Sequence, residues 1–269
     1  MLGSPVHHSL SPVLHGAAYA ALGLDDWHYD RVECAEAGLP GFLAGLDAGW
    51  AGLSLTMPLK RVALDVADEV SPRAAATGAA NTLVLRDGRR RAENTDIAGI
   101  VAALRGAGVR PGGRAVVLGA GGTAQAALAA LADLGIDEVS VLVRSLARTG
   151  ELRAAAARIG VAPRIRADLA DPLRAAAALT GAEVVVSTLP GDAADALTGA
   201  GPGTVALDVV YAPWPTPFAA AARAAGATVV SGLEMLLHQA VAQVELMTGR
   251  PGPVEPMRAA LEAAVAARV

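Results

Sequence analysis

Apolar and polar positions along this chain recur in two periods, and the change from one to the other marks the elements. Helical spacing runs from Ser11 to Leu22, with Ser11 placed as an N-cap and Pro12 at the first helical position. Short extended patterns follow at Tyr29 to Val32 and Ala51 to Leu55, and a helical pattern at Lys60 to Val66 stops before Ser71-Pro72. Asn81 to Leu85 reads as a strand leading into an Asp87-Gly88 hairpin turn, and Asp96 to Ala107 as a helix followed by a Gly108 to Gly113 loop.

From there the chain alternates regularly. Strands are predicted at Arg114 to Leu118, Glu138 to Val143, Arg164 to Ala167, Glu183 to Thr188, Thr204 to Val209 and Thr228 to Val230. Helices are predicted at Gly122 to Leu134, Leu146 to Ile159, Met235 to Met247 and Val254 to Ala267. Strands alternating with helices predict an α/β fold with a parallel, doubly wound sheet. No internal repeat of fixed period interrupts this pattern.

Composition narrows the classes. The 269 residues are 53% hydrophobic but only 3% aromatic, so the core is built mostly from Ala, Val and Leu. A net charge of −4 gives no general attraction to nucleic acid or an anionic membrane. Arg89, Arg90 and Arg91 beside Asp87-Gly88 read as a solvated turn. No run of about 18 apolar residues suggests a membrane span, and Met1 to Ser11 lack the basic and apolar regions of a signal peptide. Cys34 is the single cysteine, which fits a reducing cytoplasm. The five histidines, His7, His8, His15, His28 and His238, lack ligand spacing, so no metal is expected. His7 and His8 read as loop residues.

One basic residue stands apart. Of 22 Lys and Arg side chains, Lys60 alone is lysine. A lysine ammonium can give up its proton when its surroundings demand it, whereas a guanidinium stays charged. Composition leaves this open against chance survival of one surface lysine.

The strongest local motif is Val116-Val117-Leu118-Gly119-Ala120-Gly121-Gly122-Thr123-Ala124, a Gly-x-Gly-x-x-Ala turn between an apolar strand and a helix. The first glycine permits the tight turn, the second lets a pyrophosphate approach the backbone, and the small third position lets helix and strand pack closely. Free N–H groups at the helix start favour an anion there. A dinucleotide is therefore expected at Gly119, Ala120, Gly121, Gly122 and Thr123, against the plainer reading of a packing turn. The second strand ends Leu142-Val143-Arg144-Ser145 with Arg148 one turn on. No carboxylate stands there for a ribose hydroxyl, and Arg144 and Arg148 suit a 2′-phosphate, which points to NADP. Near the N-terminus, Ser9 and Ser11 precede a helix and could hold a carboxylate, although capping alone would also account for Ser11.

Further segments complete a constellation: Leu53-Ser54-Leu55-Thr56-Met57-Pro58-Leu59-Lys60, Gly78-Ala79-Ala80-Asn81-Thr82, Glu93-Asn94-Thr95-Asp96 and Gly232-Leu233-Glu234-Met235-Leu236-Leu237-His238-Gln239-Ala240. With Gly3-Ser4-Pro5-Val6-His7-His8-Ser9-Leu10-Ser11-Pro12 ahead of them and the glycine turn among them, this order resembles the shikimate dehydrogenase family over nearly the whole chain. The resemblance implies an NADP-dependent oxidoreductase of chorismate and aromatic amino acid biosynthesis that reduces 3-dehydroshikimate to shikimate. It makes Lys60 and Asp96 the catalytic pair and Ser9 and Ser11 the carboxylate-binding pair. Thr56, Asn81 and Gln239 become partners of the ring hydroxyls, with Asp96 holding a neighbouring hydroxyl. Tyr211 is a substrate-side residue, Val209 and Gly232 line the nicotinamide, and Arg144, Ser145 and Arg148 lie at the adenosine end. Four departures stand out: only Met1 and Leu2 precede Gly3, Ser54 replaces a common Asn, Val143-Arg144-Ser145 replaces Asn-Arg-Thr, and Thr188-Leu189-Pro190 differs from the usual loop.

The chemistry follows from those roles. Reducing a ring ketone needs a hydride donor and a proton donor. Lys60 as ammonium supplies the proton and Asp96 orients it, although Asp96 also suits a helix cap near Thr95. Two α/β domains are expected: a substrate domain of residues 1–95 completed by 233–269, and a Rossmann domain of residues 96–232, with a closing cleft between them. The expected partners are small molecules only, in a cytoplasmic monomer or homodimer, without nucleic acid or membrane. Two alternatives are a quinate/shikimate or aminoshikimate dehydrogenase paralogue and a non-catalytic ligand-binding paralogue.

Overall fold

A computed structural model describes residues 1–268. The chain divides into two compact units, Met1–Gly99 with the residues from Leu236 onward, and Ile100–Met235. Both divisions fall inside helices, Asp96–Gly106 and Gly232–Thr248.

The smaller unit carries a four-stranded sheet in the order Gly52–Ser54, Thr82–Arg86, Arg89–Glu93, Glu69–Val70. The first three strands are antiparallel neighbours and the last runs parallel to its partner. The hairpin forms at Asp87-Gly88, where φ values of 52° and 73° give the paired left-handed geometry that matches strand twist. Arg89, Arg90 and Arg91 are not a turn: they form the return strand. Their side chains pair with Glu69 at 3.0 Å and Asp68 at 3.0 Å across to the neighbouring segment and with Glu93 of the same strand at 2.8 Å, so carboxylates neutralise them. Leu2–Gly3 pairs in parallel with Val32–Glu33, and Leu2 also bridges to Leu55. Leu2, Leu39, Leu55, Leu59, Leu83 and Ala92 form the apolar centre beneath the sheet.

The helix expected from Lys60 to Val66 shrinks to Val62–Asp65. Lys60 instead lies in a turn, where its carbonyl accepts a hydrogen bond from the Ala80 N–H at 2.7 Å. That bond ties Lys60 to the segment leading into Asn81. The helix Ser11–Leu22 begins one residue earlier than capping by Ser11 would require, with Leu10 at the cap position and no side-chain cap.

The larger unit is a six-stranded parallel sheet in the order 228–231, 205–208, 184–187, 114–118, 138–142, 164–166. The chain starts at a central strand, builds outward on one side, then crosses over and builds outward on the other. The sheet therefore has a switch point beside strand 114–118. Ala-rich helices such as Gly122–Asp133 and Gly150–Ile159 flank it. The single helix expected from Leu146 to Ile159 is split by a short 3-10 turn at Leu146–Arg148, because the Thr149 hydroxyl turns back to donate to the Leu146 carbonyl at 2.7 Å.

Three short helices, Pro72–Thr77, Pro172–Leu179 and Pro217–Ala224, escape a reading by periodicity. Each opens with proline after a capping side chain: Ser71, Asp171 or Thr216 accepts a backbone N–H of the first turn. Among the described residues no helix is long and apolar enough to cross a membrane.

Leu83 is fully buried at the centre of the smaller sheet. Leu83→Ala should destabilise that unit by about 2–5 kcal/mol, read by chemical denaturation as a lower midpoint of the unit's transition. An unchanged midpoint would contradict this packing.

Candidate active site

In the smaller unit the residues picked out by sequence converge on Asn81. Its backbone is fixed twice: its N–H donates to the Glu93 carbonyl at 3.1 Å, and its carbonyl accepts from the Leu55 N–H at 2.7 Å. Its side-chain oxygen accepts from the Thr95 N–H at 2.8 Å, an unambiguous donor, so the amide nitrogen must face the other way. There it donates to Asp96 Oδ1 at 2.9 Å and approaches Gln239 Oε1 at 3.3 Å. Asp96 Oδ2 meets Lys60 Nζ at 2.5 Å. The lysine side chain is 24% exposed and the aspartate side chain 7%, so the ammonium is the more accessible member of the pair. Asp96 does not cap its helix, because both of its oxygens are taken by side chains. Asn94 Oδ1 accepts the Asp96 N–H at 3.1 Å instead.

Gln239 orients itself by donating to the Leu236 carbonyl at 2.9 Å. Ser9 and Ser11 come together, with 3.2 Å between their hydroxyls and the Ser11 N–H directed at Ser9 Oγ. Arg31 clasps their loop through the His7 and Ser9 carbonyls, and Arg268 donates to the His8 carbonyl at 3.1 Å. Thr56 is half-buried after its strand, its N–H held by the Leu2 carbonyl at 2.9 Å.

A buried polar cluster lies between the serines and Asn81, and sequence reading had not assigned its members. The Tyr29 hydroxyl lies beside Ser54 and Ser11 without a well-formed hydrogen bond to either. Ser54 donates to Gln243 Oε1 at 2.8 Å, and Gln243 Nε2 donates to Thr82 Oγ1 at 2.9 Å and to the Asn81 carbonyl at 3.2 Å. His15 completes the cluster. It is fully buried, stacks on Tyr29 at 4.0 Å, and lies 3.3 Å from Gln243 Oε1 through Nε2 and 3.4 Å from the Tyr19 hydroxyl through Nδ1. Since Gln243 presents its oxygen here, His15 Nε2 carries the proton and Nδ1 accepts from Tyr19. Burial pushes the His15 imidazole down to about 3, outweighing the Gln243 hydrogen bond, and pushes the Tyr19 phenol up to about 12. The sequence offers one signal for Gln243: a glutamine four residues after Gln239 on the same helical face.

The larger unit presents a different arrangement. Gly119, at the end of the central strand, has φ of 109°, and a β-carbon there would lie 2.5 Å from Thr188 Oγ1, so only glycine fits this turn. Gly121 caps the following helix and is exposed, with open space where a β-carbon would stand. Ala120, Gly122 and Thr123 are half-buried around it, and Ala124 is buried against the sheet. This is a cradle into which a pyrophosphate fits against backbone N–H groups. Arg144, Ser145 and Arg148 are exposed beyond the second strand. Val209 and Gly232 meet backbone to backbone, since a β-carbon on Gly232 would stand 2.1 Å from the Val209 carbonyl oxygen. The loop carrying Val209 and Tyr211 is fastened by Asp208, which accepts from Thr216 Oγ1 at 2.6 Å and the Val210 N–H at 3.3 Å. Burial raises the Asp208 carboxyl's pKa, against those hydrogen bonds.

A sheet of this order with a glycine turn at its switch point, and a lysine–carboxylate pair in the companion unit, define a nucleotide-dependent α/β oxidoreductase. A curated relative, the NADP(+) shikimate dehydrogenase of Methylobacterium radiotolerans, is 41% identical over 279 residues, spanning 95% of this chain and 93% of the relative. This chain belongs to the shikimate dehydrogenase family. Residues 1–83 match the family model for the shikimate dehydrogenase substrate binding domain, and residues 232–262 the model for the shikimate 5'-dehydrogenase C-terminal domain. The crystal structure of Mycobacterium tuberculosis shikimate dehydrogenase matches with a TM-score of 0.87 and 47% identity, covering 98% of this chain and 97% of that one. That of Thermus thermophilus shikimate 5-dehydrogenase, in complex with NADP(H) and shikimate, matches with a TM-score of 0.81 and 33% identity, covering 98% and 97%.

The buried imidazole gives a prediction with a definite sign. In the unfolded chain His15 takes a proton below about pH 6.5, whereas in the folded chain it stays neutral down to about pH 3. Folding stability should therefore fall as pH drops through that window, with a slope from this group of up to about 1.4 kcal/mol per pH unit. Unfolding free energies of wild type and His15→Asn compared across pH should show that difference; a pH-independent gap would reject it.

Proposed function

We infer that the protein reversibly reduces 3-dehydroshikimate to shikimate with NADPH. The observation that carries the mechanism is the 2.5 Å contact between the part-exposed Lys60 ammonium and a buried Asp96 whose other oxygen is held by Asn81. The names of the relatives and the complex of the Thermus thermophilus structure support the substrate and cofactor. They do not favour a quinate- or aminoshikimate-specific enzyme, or a non-catalytic one.

Reduced nicotinamide, when bound, supplies the hydride. The rest of the reaction is assigned to this chain's residues. Ser9 and Ser11 hold the substrate carboxylate, and Thr56, Asn81 and Gln239 hold the ring hydroxyls. Lys60 donates its proton to the ketone oxygen as the carbon accepts hydride, and takes it back from the alcohol in the oxidative direction. Asp96 keeps the ammonium aimed and steadies its charge. In the larger unit, the turn of Gly119, Ala120, Gly121, Gly122 and Thr123 takes the pyrophosphate, Arg144, Ser145 and Arg148 take the 2′-phosphate end, and Val209 and Gly232 offer backbone to the nicotinamide. Tyr211 serves the substrate from the same loop. The smaller unit is read as the substrate-binding domain and the larger as the NADP-binding domain. A cytoplasmic monomer or homodimer without nucleic acid or membrane partner completes the reading, supported by the single cysteine and the acidic charge balance.

Two measurements test it. With shikimate and NADP+, nicotinamide absorbance should report turnover, and Lys60→Arg or Asp96→Asn should each lower kcat by roughly 10²- to 10⁴-fold. Lys60→Arg keeps the charge but cannot shed a proton, so wild-type kcat there rejects the acid–base role. Arg144→Ala with Arg148→Ala should weaken NADP(H) binding by about tenfold or more while leaving NAD(H) nearly unchanged. Equal losses for both nucleotides would move the phosphate site elsewhere.

A further inference from the structure

We propose that Gln243 is a positioning residue for the Lys60–Asp96 pair, acting through Thr82 and Asn81; this rests on the reading that the pair moves the reaction's proton. Gln243, Thr82 and Asn81 are all buried, at 1%, 0% and 2% exposure, so none of their polar groups can fall back on water. Gln243 holds Asn81 at two points. Its amide nitrogen donates to the Asn81 carbonyl at 3.2 Å and to Thr82 Oγ1 at 2.9 Å, and Thr82 Oγ1 in turn donates to Asn81 Oδ1 at 2.9 Å. One glutamine amide thus bears on both main chain and side chain of Asn81, beside the bonds from Leu55, Glu93 and Thr95.

That amide cannot turn over. Its nitrogen faces a carbonyl, which only accepts, and its oxygen faces the Ser54 hydroxyl at 2.8 Å and His15 at 3.3 Å. Flipping it would place oxygen against oxygen at Asn81. The same logic passes to Asn81. With the Thr95 N–H and the Thr82 hydroxyl both donating into Oδ1, the Asn81 nitrogen is kept on Asp96 Oδ1, which leaves Oδ2 to the ammonium. If Gln243 loses its donors, the Thr82 hydroxyl is free to rotate, Oδ1 is left to Thr95 alone, and the Asn81 amide can tilt against Asp96. The carboxylate then shifts relative to Lys60, and small displacements of a reacting group cost large factors in rate.

The experiment compares Gln243→Met, which keeps length but removes both donors, with Thr82→Val and Thr82→Ser, and includes Lys60→Arg as a reference. The readouts are kcat, KM for shikimate and for NADP+, the pH dependence of kcat, and the melting temperature. Gln243→Met should lower kcat about tenfold or more, leave KM for NADP+ within about twofold, and displace the pH profile of kcat. Thr82→Val should do the same, and Thr82→Ser should recover most of the loss by restoring the hydroxyl. A folded Gln243→Met enzyme with a lowered melting temperature but wild-type kcat and pH profile overturns the proposal, because that is what packing alone would give. If Gln243→Met does not fold, the Thr82 pair decides: wild-type kcat in Thr82→Val, or a Thr82→Ser variant as impaired as Thr82→Val, overturns it. Wild-type kcat in Lys60→Arg overturns the reading of the pair and this proposal with it, whereas a dead Lys60→Arg beside an unaffected Thr82→Val overturns the proposal alone.

Discussion

The buried carboxylate of Asp96 is a demand the rest of the smaller unit is arranged to meet. A charge removed from water must find both a counter-ion and hydrogen-bond donors for its remaining lone pairs, or burial costs more than it returns. Here the ammonium of Lys60 takes one oxygen and the Asn81 amide the other. Satisfying Asp96 therefore requires three segments distant in sequence to meet: the turn that carries Lys60, the start of the central strand at Asn81, and the helix that opens with Asp96. Backbone bonds enforce the meeting, with Ala80 tied to Lys60 and Asn81 tied to Leu55 and Glu93. The hairpin at Asp87-Gly88 sets the strand register that brings Glu93, and with it Thr95 and Asp96, beside Asn81.

The larger unit works by the opposite means, since most of its binding features are made of backbone. At Gly119 and Gly232 the decisive property is the absence of a side chain: one permits a left-handed turn against Thr188, the other lets a helix start lie against the Val209 carbonyl. Side chains enter as fasteners. Asp208 is costly to bury, yet it secures the loop that follows Val209 by bonding both its start, at Val210, and its end, at Thr216. A phosphate-binding turn made of N–H groups accommodates any dinucleotide. Discrimination between dinucleotides must come from residues outside it, and the proposed readers, Arg144 and Arg148, are exposed at the surface.

The division between what the sequence disclosed and what it hid has a physical basis. The parallel sheet was legible because most strands carry a short apolar run between helical patterns, and strands such as Arg114–Leu118 begin and end where the pattern says. Short helices were missed because eight residues or fewer carry too little periodicity; their Ser-Pro, Asp-Pro and Thr-Pro starts were the available signal. Lys60, Asp96, Asn81 and Gln239, which the structure brings together, were picked out by the family resemblance of the ordered motifs that hold them, with Lys60 also singled out as the lone lysine. Thr82, Gln243 and His15 were hidden because each sits within a regular element, where a polar residue reads as one more position of the pattern, and Tyr29 because it lies in an irregular segment before a strand. Only long-range pairing, such as Gln243 with Thr82, reveals what such residues do.

The same geometry bears on why the lone lysine of an arginine-rich chain stands at position 60. A guanidinium is a planar fork that binds a carboxylate through both oxygens at once. Around Asp96 that mode is closed, because Asn81 already occupies Oδ1 and is itself held there by Thr95 and Thr82. A compact ammonium needs only the remaining oxygen, and its other N–H groups stay available on the side that is 24% exposed. An arginine in its place would displace Asn81 or bind through one arm with the rest of the fork unpaired. Lysine at this position then has two reasons, the proposed one of a proton that can leave and the geometric one of a carboxylate with a single free face. The second requirement would hold even if the proton never moved.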